Sequence, residues 1–484
     1  MLLVLFVIPM ITLFTLSGFW ALNSKLKDSV FQVIGLHLPK VLTLVSLSLN
    51  LLYGAYLWKF FPSISLKSPS ALALHESINS ISLGSAVLFE VQHNLNLPFI
   101  ILSTFVLLIA LLTAWYSSVN ALLLCVMLLL IELCLVGSFS CTNIFAFLLF
   151  FEASALPIFV LIAYCGSARR ERLKASYYFL FFTLYGSLSL LLLILNFYGL
   201  SQIDFFQLTV GQSSNCTLWL LLFVAFAVKI PLFPFHIWLP YAHVEASTYT
   251  SIILAALILK LGGYGILKFI LPLFTIQTHL FFRPLALFIC VAGTIYGGLC
   301  ALRQIDIKRQ IAFSSISHMS FATIGIFTLT ETGVKGSIYL ILSHGLTSAA
   351  LFYLVGVLSD RYHTRSIMAF SGLLSSIPVF SFFLLLISLA NVGFPGTSGF
   401  LPELIVLVSV VSATSTLLLP TLFGMFLTTV STLVLLLRAL FGHTKAFYFK
   451  SSWVDVSKLE FFVLFILTFW VLLLGFYDIL NISL

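Results

Sequence analysis

Seven ionisable side chains stand within or beside long apolar runs of the chain. They are Glu132, Glu152 in LLFFEASALP, Lys229 in FAVKIPLFPFHIWLPYAHVEA, Lys260 in AALILKLGGYG, His318 in SSISHMSF, His344 in ILSHGLTSAALF, and Glu403 at the end of NVGFPGTSGFLPE. An ionisable group in hydrocarbon costs at least about 2.5–3.5 kcal/mol, so each of these needs a task or a partner. The chemistry open to this set is proton transfer. Burial strips a proton from a lysine while a nearby carboxylate restores it, so a moving Glu can switch a Lys. Histidine titrates near neutral pH and passes a proton between its two nitrogens. Judged from the centres of their segments, Glu152, Lys229, Lys260, His318 and His344 share one depth, near the midplane. A lateral row of protonatable groups at that depth suits proton movement across a large bundle.

Structural readings compete with this one. Glu152 and Lys229 could simply tie two helices together. Lys260 could snorkel to the surface, although a central position makes that costly. His318 and His344 could be satisfied core histidines. His236 and His243 lie seven residues apart, near one face if the helix continued. The prolines around them favour polar contacts that line a loop. Glu132 admits either reading. The cluster Arg169, Arg170, Arg172 and Lys174 reads as ordinary loop charge.

The elements that must position these residues are membrane spans. Of 484 residues, 61% are hydrophobic and only 8% charged, against about 25% charged in a soluble domain. The net charge of +8 is therefore no nucleic-acid signal. Runs of about 20 apolar residues cross a bilayer, and fourteen are expected: roughly 1–20, 36–60, 95–115, 119–138, 142–165, 175–199, 216–243, 246–271, 282–302, 306–329, 335–359, 373–412, 417–440 and 460–482. The seventh carries Pro231, Pro234 and Pro240; the twelfth carries NVGFPGTSGFLPE, residues 391–403. Both are expected to be discontinuous helices. Freed backbone groups at such depth require protein or trapped water, with Ser315, Ser317, Thr347 and Ser348 as candidate water holders beside them.

Loop charge tests this count. The odd-numbered loops hold 16 of the 23 Lys and Arg residues, Lys40 and Lys308 included; the even-numbered loops hold five, and Lys229 and Lys260 lie within spans. That bias places the odd loops on the cytosol or matrix side and both termini on the opposite side. Broken spans at corresponding positions of two halves mark inverted-repeat transporters. Spans 4–8 (about 119–271) and 9–13 (about 282–440) are the expected repeats, within a single polytopic domain over 1–484.

Other function classes find no support. The seven cysteines form no C-x-x-C pair and no zinc spacing with histidine. No nucleotide-binding fingerprint is present, and nothing points to haem or an iron–sulfur cluster. MLLVLFVIPMITLFTLSGFW lacks a basic n-region and a cleavage site, so it reads as a retained first span. No Arg-rich transit peptide precedes it. An organellar protein of this kind is expected to be made inside the organelle, and the 50 phenylalanines fit an AT-rich organellar genome.

Three stretches carry a resemblance to a known family. KIPLFPFHIWLPYAHVEA, DIKRQIAFSSISHMSF and NVGFPGTSGFLPE are similar to motifs of the chain 4 family of antiporter-like membrane subunits of respiratory complex I, NADH:ubiquinone oxidoreductase. The likeness covers about residues 120–440. It departs at Ser247–Thr248, where the family usually has Pro–Thr, and in the divergent 61–94 segment. The resemblance implies fourteen core helices with two inverted five-helix repeats. It implies that Glu152 and Lys229 form a modulating charge pair, that Lys260, His318 and His344 continue a central proton path, and that Glu403 connects it onward. It places NADH, FMN, iron–sulfur clusters and ubiquinone in partner subunits and no cofactor or metal in this chain. The expected partners are the other membrane-arm and peripheral-arm subunits, and the expected location is the mitochondrial inner membrane, with a bacterial plasma membrane as the alternative. The expected activity is proton translocation coupled to distant electron transfer. A stand-alone cation/proton antiporter subunit and a structural scaffold are the competing classes.

Overall fold

A computed structural model describes residues 2–23, 29–60, 80–83, 86–90, 95–116, 120–167, 170–200, 215–443 and 454–476. Lys25, Lys27, Lys67, Arg169, Lys445, Lys450 and most of the 61–94 segment lie outside these. Within that segment Ser80–Leu83 (β1) and Ala86–Glu90 (β2) pair antiparallel. Nearly everything else is helical.

The order is α1 (Leu2–Asn23), α2 (Ser29–Phe60), α3 (Asn96–Thr113), α4 (Ala121–Ser140), α5 (Ile144–Ala153), α6 (Ala155–Cys165), α7 (Glu171–Leu200), α8 (Cys216–Lys229) and α9 (Trp238–Glu245). It continues with α10 (Thr248–Leu273), α11 (Ile276–Arg303), α12 (Ile307–Phe327), α13 (Glu331–Tyr362), α14 (Pro378–Val392), α15 (Phe400–Ala413), α16 (Ser415–Leu440) and α17 (Lys458–Phe476). Among the described residues, 10 helices are long and apolar enough to cross a membrane. Among the described residues the chain is a multi-pass membrane protein, helical throughout its spans.

Burial sorts the helices into centre and rim. In α10 and α13 the apolar window is 94% buried, whereas in α16 it is 28%. Exposed side chains such as Phe14, Phe181, Phe288 and Leu419 face outward, where lipid tails solvate them as well as protein would. The most polar face of each central helix is thereby turned inward. That inward face holds every ionisable group the sequence singles out at mid-depth except Glu152, which is half-buried.

Both expected breaks occur. α8 stops at Lys229, residues 230–237 turn, and α9 resumes at Trp238. Pro231 and Pro234 supply no N–H in that turn, so they cannot continue a helix. α14 ends at Val392 and α15 begins at Phe400. Gly393, at φ +77°, closes α14 by donating to Ala390 O (3.2 Å), with Phe394 N reaching Leu389 O (3.1 Å); a left-handed glycine is the usual device for this. A third interruption is new. The expected span over 142–165 consists of α5 and α6, joined at Ser154, two residues after Glu152. In α10 two π-helical turns, Leu254–Ile258 and Ile266–Ile270, flank the segment bearing Lys260, and such turns leave backbone carbonyls displaced from the regular ladder.

Candidate functional site

Lys229 is the last residue of α8 and is buried. A cation at a helix C-terminus is favoured by the helix dipole. Its Nζ donates to Phe151 O at 3.0 Å and lies 4.0 Å from the centre of the Phe151 ring. Phe151 precedes Glu152, whose carboxylate is near enough to act electrostatically on Lys229. The two do not form an ion pair: among the described residues, the ion pairs are Arg309–Asp306, His318–Glu403, Lys335–Glu331, Arg361–Glu460 and Arg365–Glu245. The expected Glu152–Lys229 pair is thus an open one, held through a neighbouring carbonyl.

The other four residues are contiguous. Lys260 Nζ donates to Ala255 O at 2.6 Å, in the π-helical turn of its own helix, and stands 3.0 Å from His344 Nδ1. The rings of His344 and His318 are 5.7 Å apart between centroids. His318 Nδ1 is 3.6 Å from Glu403 Oε1. Three central helices (α10, α12, α13) and the first turn of α15 contribute one group each, and all four groups are buried. Glu403 rests against the break: a Cβ on Gly393 would fall 2.4 Å from its Oε2. Thr347 and Ser348 donate to carbonyls of their own helix.

The secondary candidates separate. Glu132 is fully buried and accepts from Asn50 Nδ2 at 2.8 Å, a link from α4 to α2. His236 and His243 do not share a helix face, because α9 begins only at Trp238. His236 is ringed by Phe233, Tyr296 and Phe313. His243 is fully buried, and neither ring nitrogen has a hydrogen-bond partner among the described residues.

Two features are not singled out by the sequence pattern. The first is a buried polar cluster where the C-terminal ends of α9 and α13 meet the start of α12. Lys308, counted above as loop charge, is 3% exposed, and its Nζ donates to Ala246 O at 3.0 Å. Glu245 accepts a hydrogen bond from Ser167 Oγ and has Arg365 Nη1 3.7 Å from Oε1. Arg365 also donates to Val244 O, while Ile307 N–Arg365 O (3.0 Å) and Ile367 N–Ile305 O (2.9 Å) fasten the adjoining loops. Lys40, the other supposed loop charge, is likewise buried and donates to Trp115 O at 2.6 Å. Loop-charge counting cannot distinguish such residues from solvated ones. The second feature is Tyr264, one turn beyond Lys260. Its hydroxyl donates to Phe139 O at 2.5 Å, and Phe99, Phe139 and Phe147 surround its ring at centroid distances of 5.7, 5.1 and 6.5 Å.

A helical membrane bundle with broken helices meeting at a buried row of Lys, His and Glu defines an antiporter-type membrane subunit. The family described as NADH:quinone oxidoreductase/Mrp antiporter, TM, matches residues 141–431. NADH-ubiquinone oxidoreductase chain 4 of Chondrus crispus is 43% identical over 79% of this chain and 78% of its own length; that of Arabidopsis thaliana is 36% identical over 88% and 86%. The solved structure of respiratory complex I from Thermus thermophilus contains a chain that is 26% identical, with a TM-score of 0.82 over 98% of this chain and 95% of that one. A chain of the Mrp complex from Dietzia sp. DQ12-45-1b has a TM-score of 0.81 at 17% identity, which shows the fold alone. The chain belongs to the NADH-ubiquinone oxidoreductase chain 4 family.

Proposed function

We propose that this chain is a membrane-arm subunit of a proton-translocating NADH:ubiquinone oxidoreductase and that it carries protons across the membrane while electrons pass through partner subunits. The observation that carries this reading is the contiguous buried row Lys260–His344–His318–Glu403, with Lys229 and Glu152 beside it as an open pair. No structural need explains four adjoining ionisable groups in the apolar centre, where well-packed hydrophobic residues are often as stable. Proton transfer does. His344 accepts on one nitrogen and releases from the other, and the occupancy of Lys260 sets the next step. Closing the gap between Glu152 and Lys229 would raise the proton affinity of Lys229, and opening it would release the proton again, which links distant events to the row electrostatically. NADH, FMN, iron–sulfur clusters and ubiquinone belong, in this reading, to partner subunits.

The finer architecture belongs to the same proposal. Of fourteen crossings, spans 4–8 and 9–13 form two inverted five-helix repeats, about 119–271 and 282–440, broken at spans 7 and 12. Both termini face the intermembrane space, and the membrane is the mitochondrial inner membrane. The curated relatives include chains from algae and plants and subunit M of Rickettsia species, which keeps the bacterial plasma membrane as the alternative.

The test uses the assembled complex in proteoliposomes. Lys229→Ala and Glu152→Gln are expected to assemble but to lose pumping-coupled quinone reduction. Full coupled activity in either variant overturns the reading. Loss of assembly instead of pumping would identify a scaffold. A second reading, a stand-alone cation/proton antiporter subunit, draws on the fold shared with the Mrp chain. It predicts that the gently solubilised chain migrates apart from NADH dehydrogenase activity.

A further inference from the structure

We propose that the last helix, α17, is the brace that sets where Glu403 stands. Gly475 and Val471 hold the turn of the second break, and through that turn the first residues of α15, at the distance from His318 that the row requires. This brace rests on the row being a proton path, as proposed above, and adds what positions the row's last member.

α17 follows both expected repeats, about 119–271 and 282–440, yet it lies directly on the second break. A half-helix that starts inside a membrane leaves backbone N–H groups that only protein or trapped water can satisfy. Ser398, two residues before α15, is buried, and its N–H donates to Val471 O at 3.0 Å, across the gap to α17. One turn along, Gly475 meets the same turn at closer range. A Cβ on it would fall 2.4 Å from Gly396 O and 2.6 Å from Thr397 C. Only a residue without a side chain lets the two backbones come this near. Beside it, the buried Tyr339 of α13 donates its hydroxyl to Leu474 O, which ties α17 to the helix that bears His344.

The other end of α17 is pinned as well. Asp455, in the segment leading into it, accepts from Val379 N (3.1 Å) and Phe380 N (3.2 Å) in the first turn of α14. Arg361, in the last turn of α13, pairs with Glu460 and donates to Asp455 O at 3.1 Å. The Phe461 and Phe383 rings add an edge contact between α17 and α14, with centroids 5.6 Å apart. α14 leads into the break and α17 backs it, so the two sides of the turn are held in one register. From there to the carboxylate the chain is short: Phe400 N bonds to Thr397 O and Glu403 N to Gly399 O, each at 3.3 Å. A displacement of Gly396 and Ser398 therefore passes to Glu403. Misplacement of a reacting group by about 1 Å costs on the order of a hundredfold, and Glu403 stands 3.6 Å from His318.

The test measures proton pumping per assembled complex in proteoliposomes. Gly475→Ala is the decisive variant: alanine is the better helix former, so α17 itself is spared while a methyl group is set against Gly396 O. Assembly close to wild type on native gels with a severalfold loss of pumping is expected; wild-type pumping overturns the proposal. A loss that passes through Glu403 must also depend on it. Gly475→Ala is therefore combined with Glu403→Asp, and the double variant is expected to pump nearly as well as Glu403→Asp alone. If the two losses simply multiply, α17 acts elsewhere and the proposal falls. Should Gly475→Ala fail to assemble, Tyr339→Phe, which keeps the ring and removes the hydroxyl that meets Leu474 O, decides in the same terms. Glu403→Gln is run alongside. If it pumps normally, the row itself is not the path and the brace falls with it. If it abolishes pumping while Gly475→Ala leaves pumping intact, only the brace is wrong.

Discussion

The two broken helices carry opposite charges in opposite states of connection. At the first break, Lys229 ends its half-helix and is tethered to a backbone carbonyl, Phe151 O, with its carboxylate neighbour Glu152 out of ion-pair contact. At the second, Glu403 starts its half-helix and stands 3.6 Å from His318, already joined to the row. Each charge sits at the helix end that its sign favours, the cation at a C-terminus and the anion at an N-terminus. Helix-end electrostatics therefore places both, and the difference lies in the partner. The second break brings its carboxylate to 3.6 Å from His318, while the first leaves Lys229 out of ion-pair contact with Glu152. A row with one gap can be controlled at that gap.

The largest effect expected from this contrast is at the second break. Glu403→Gln leaves His318 without its carboxylate, and proton pumping in the assembled complex is expected to drop roughly a hundredfold, the scale of a lost acid–base group. Retention of more than half the wild-type pumping would remove Glu403 from the row. At the open link a graded change is informative. Glu152→Asp shortens the carboxylate arm by one methylene and widens the gap, so pumping is expected to fall severalfold, with assembly unchanged on native gels. An effect as complete as that of Glu403→Gln would mean that the first pair is no more adjustable than the second.

Smaller effects are expected from the glycines that let backbone and charge approach. Gly393→Ala must adopt φ +77° beside Glu403 Oε2, a strain of about 1–3 kcal/mol. Its predicted signature is a lower thermal inactivation temperature together with reduced pumping, because the carboxylate is pushed off its site. Gly262→Ala touches the first break instead: a Cβ there would lie 2.9 Å from Ile230 N and 3.0 Å from Phe226 O. Overpacking of this kind costs about 1–3 kcal/mol, and a stability loss with near-normal pumping per assembled complex is expected. If Gly262→Ala lowers pumping more than Gly393→Ala does, the two breaks have exchanged roles.

Much of this arrangement is legible from the chain alone, for identifiable reasons. Charges are so expensive in an apolar run that Lys229, Lys260, His318 and His344 stand out one by one, and proline and glycine clusters announce the breaks. The contacts between Lys260, His344, His318 and Glu403 depend on how α10, α12, α13 and α15 pack, which no single segment encodes. The turn at Ser154 escapes notice because its proline, Pro157, stands three residues beyond it, in the first turn of α6, and a lone proline there does not announce a break as the proline and glycine clusters do. Lys308 and Lys40 escape for another reason. A lysine near the edge of an apolar run looks the same whether its ammonium reaches solvent or folds back onto a carbonyl, and Ala246 O and Trp115 O accept these two from across the bundle.

The aromatic enclosure of Tyr264 has a bearing on energy conservation. A charge crossing a membrane gains or loses about 2.3 kcal/mol per 100 mV, so any continuous wet thread from Lys260 to both faces would discharge the stored voltage as heat. Four residues on from Lys260, Phe99, Phe139 and Phe147 surround the ring of Tyr264, whose hydroxyl meets Phe139 O at 2.5 Å and Asn96 Oδ1 at 3.2 Å. For the proton path proposed above, these four buried rings stand one turn from Lys260 as a barrier to water.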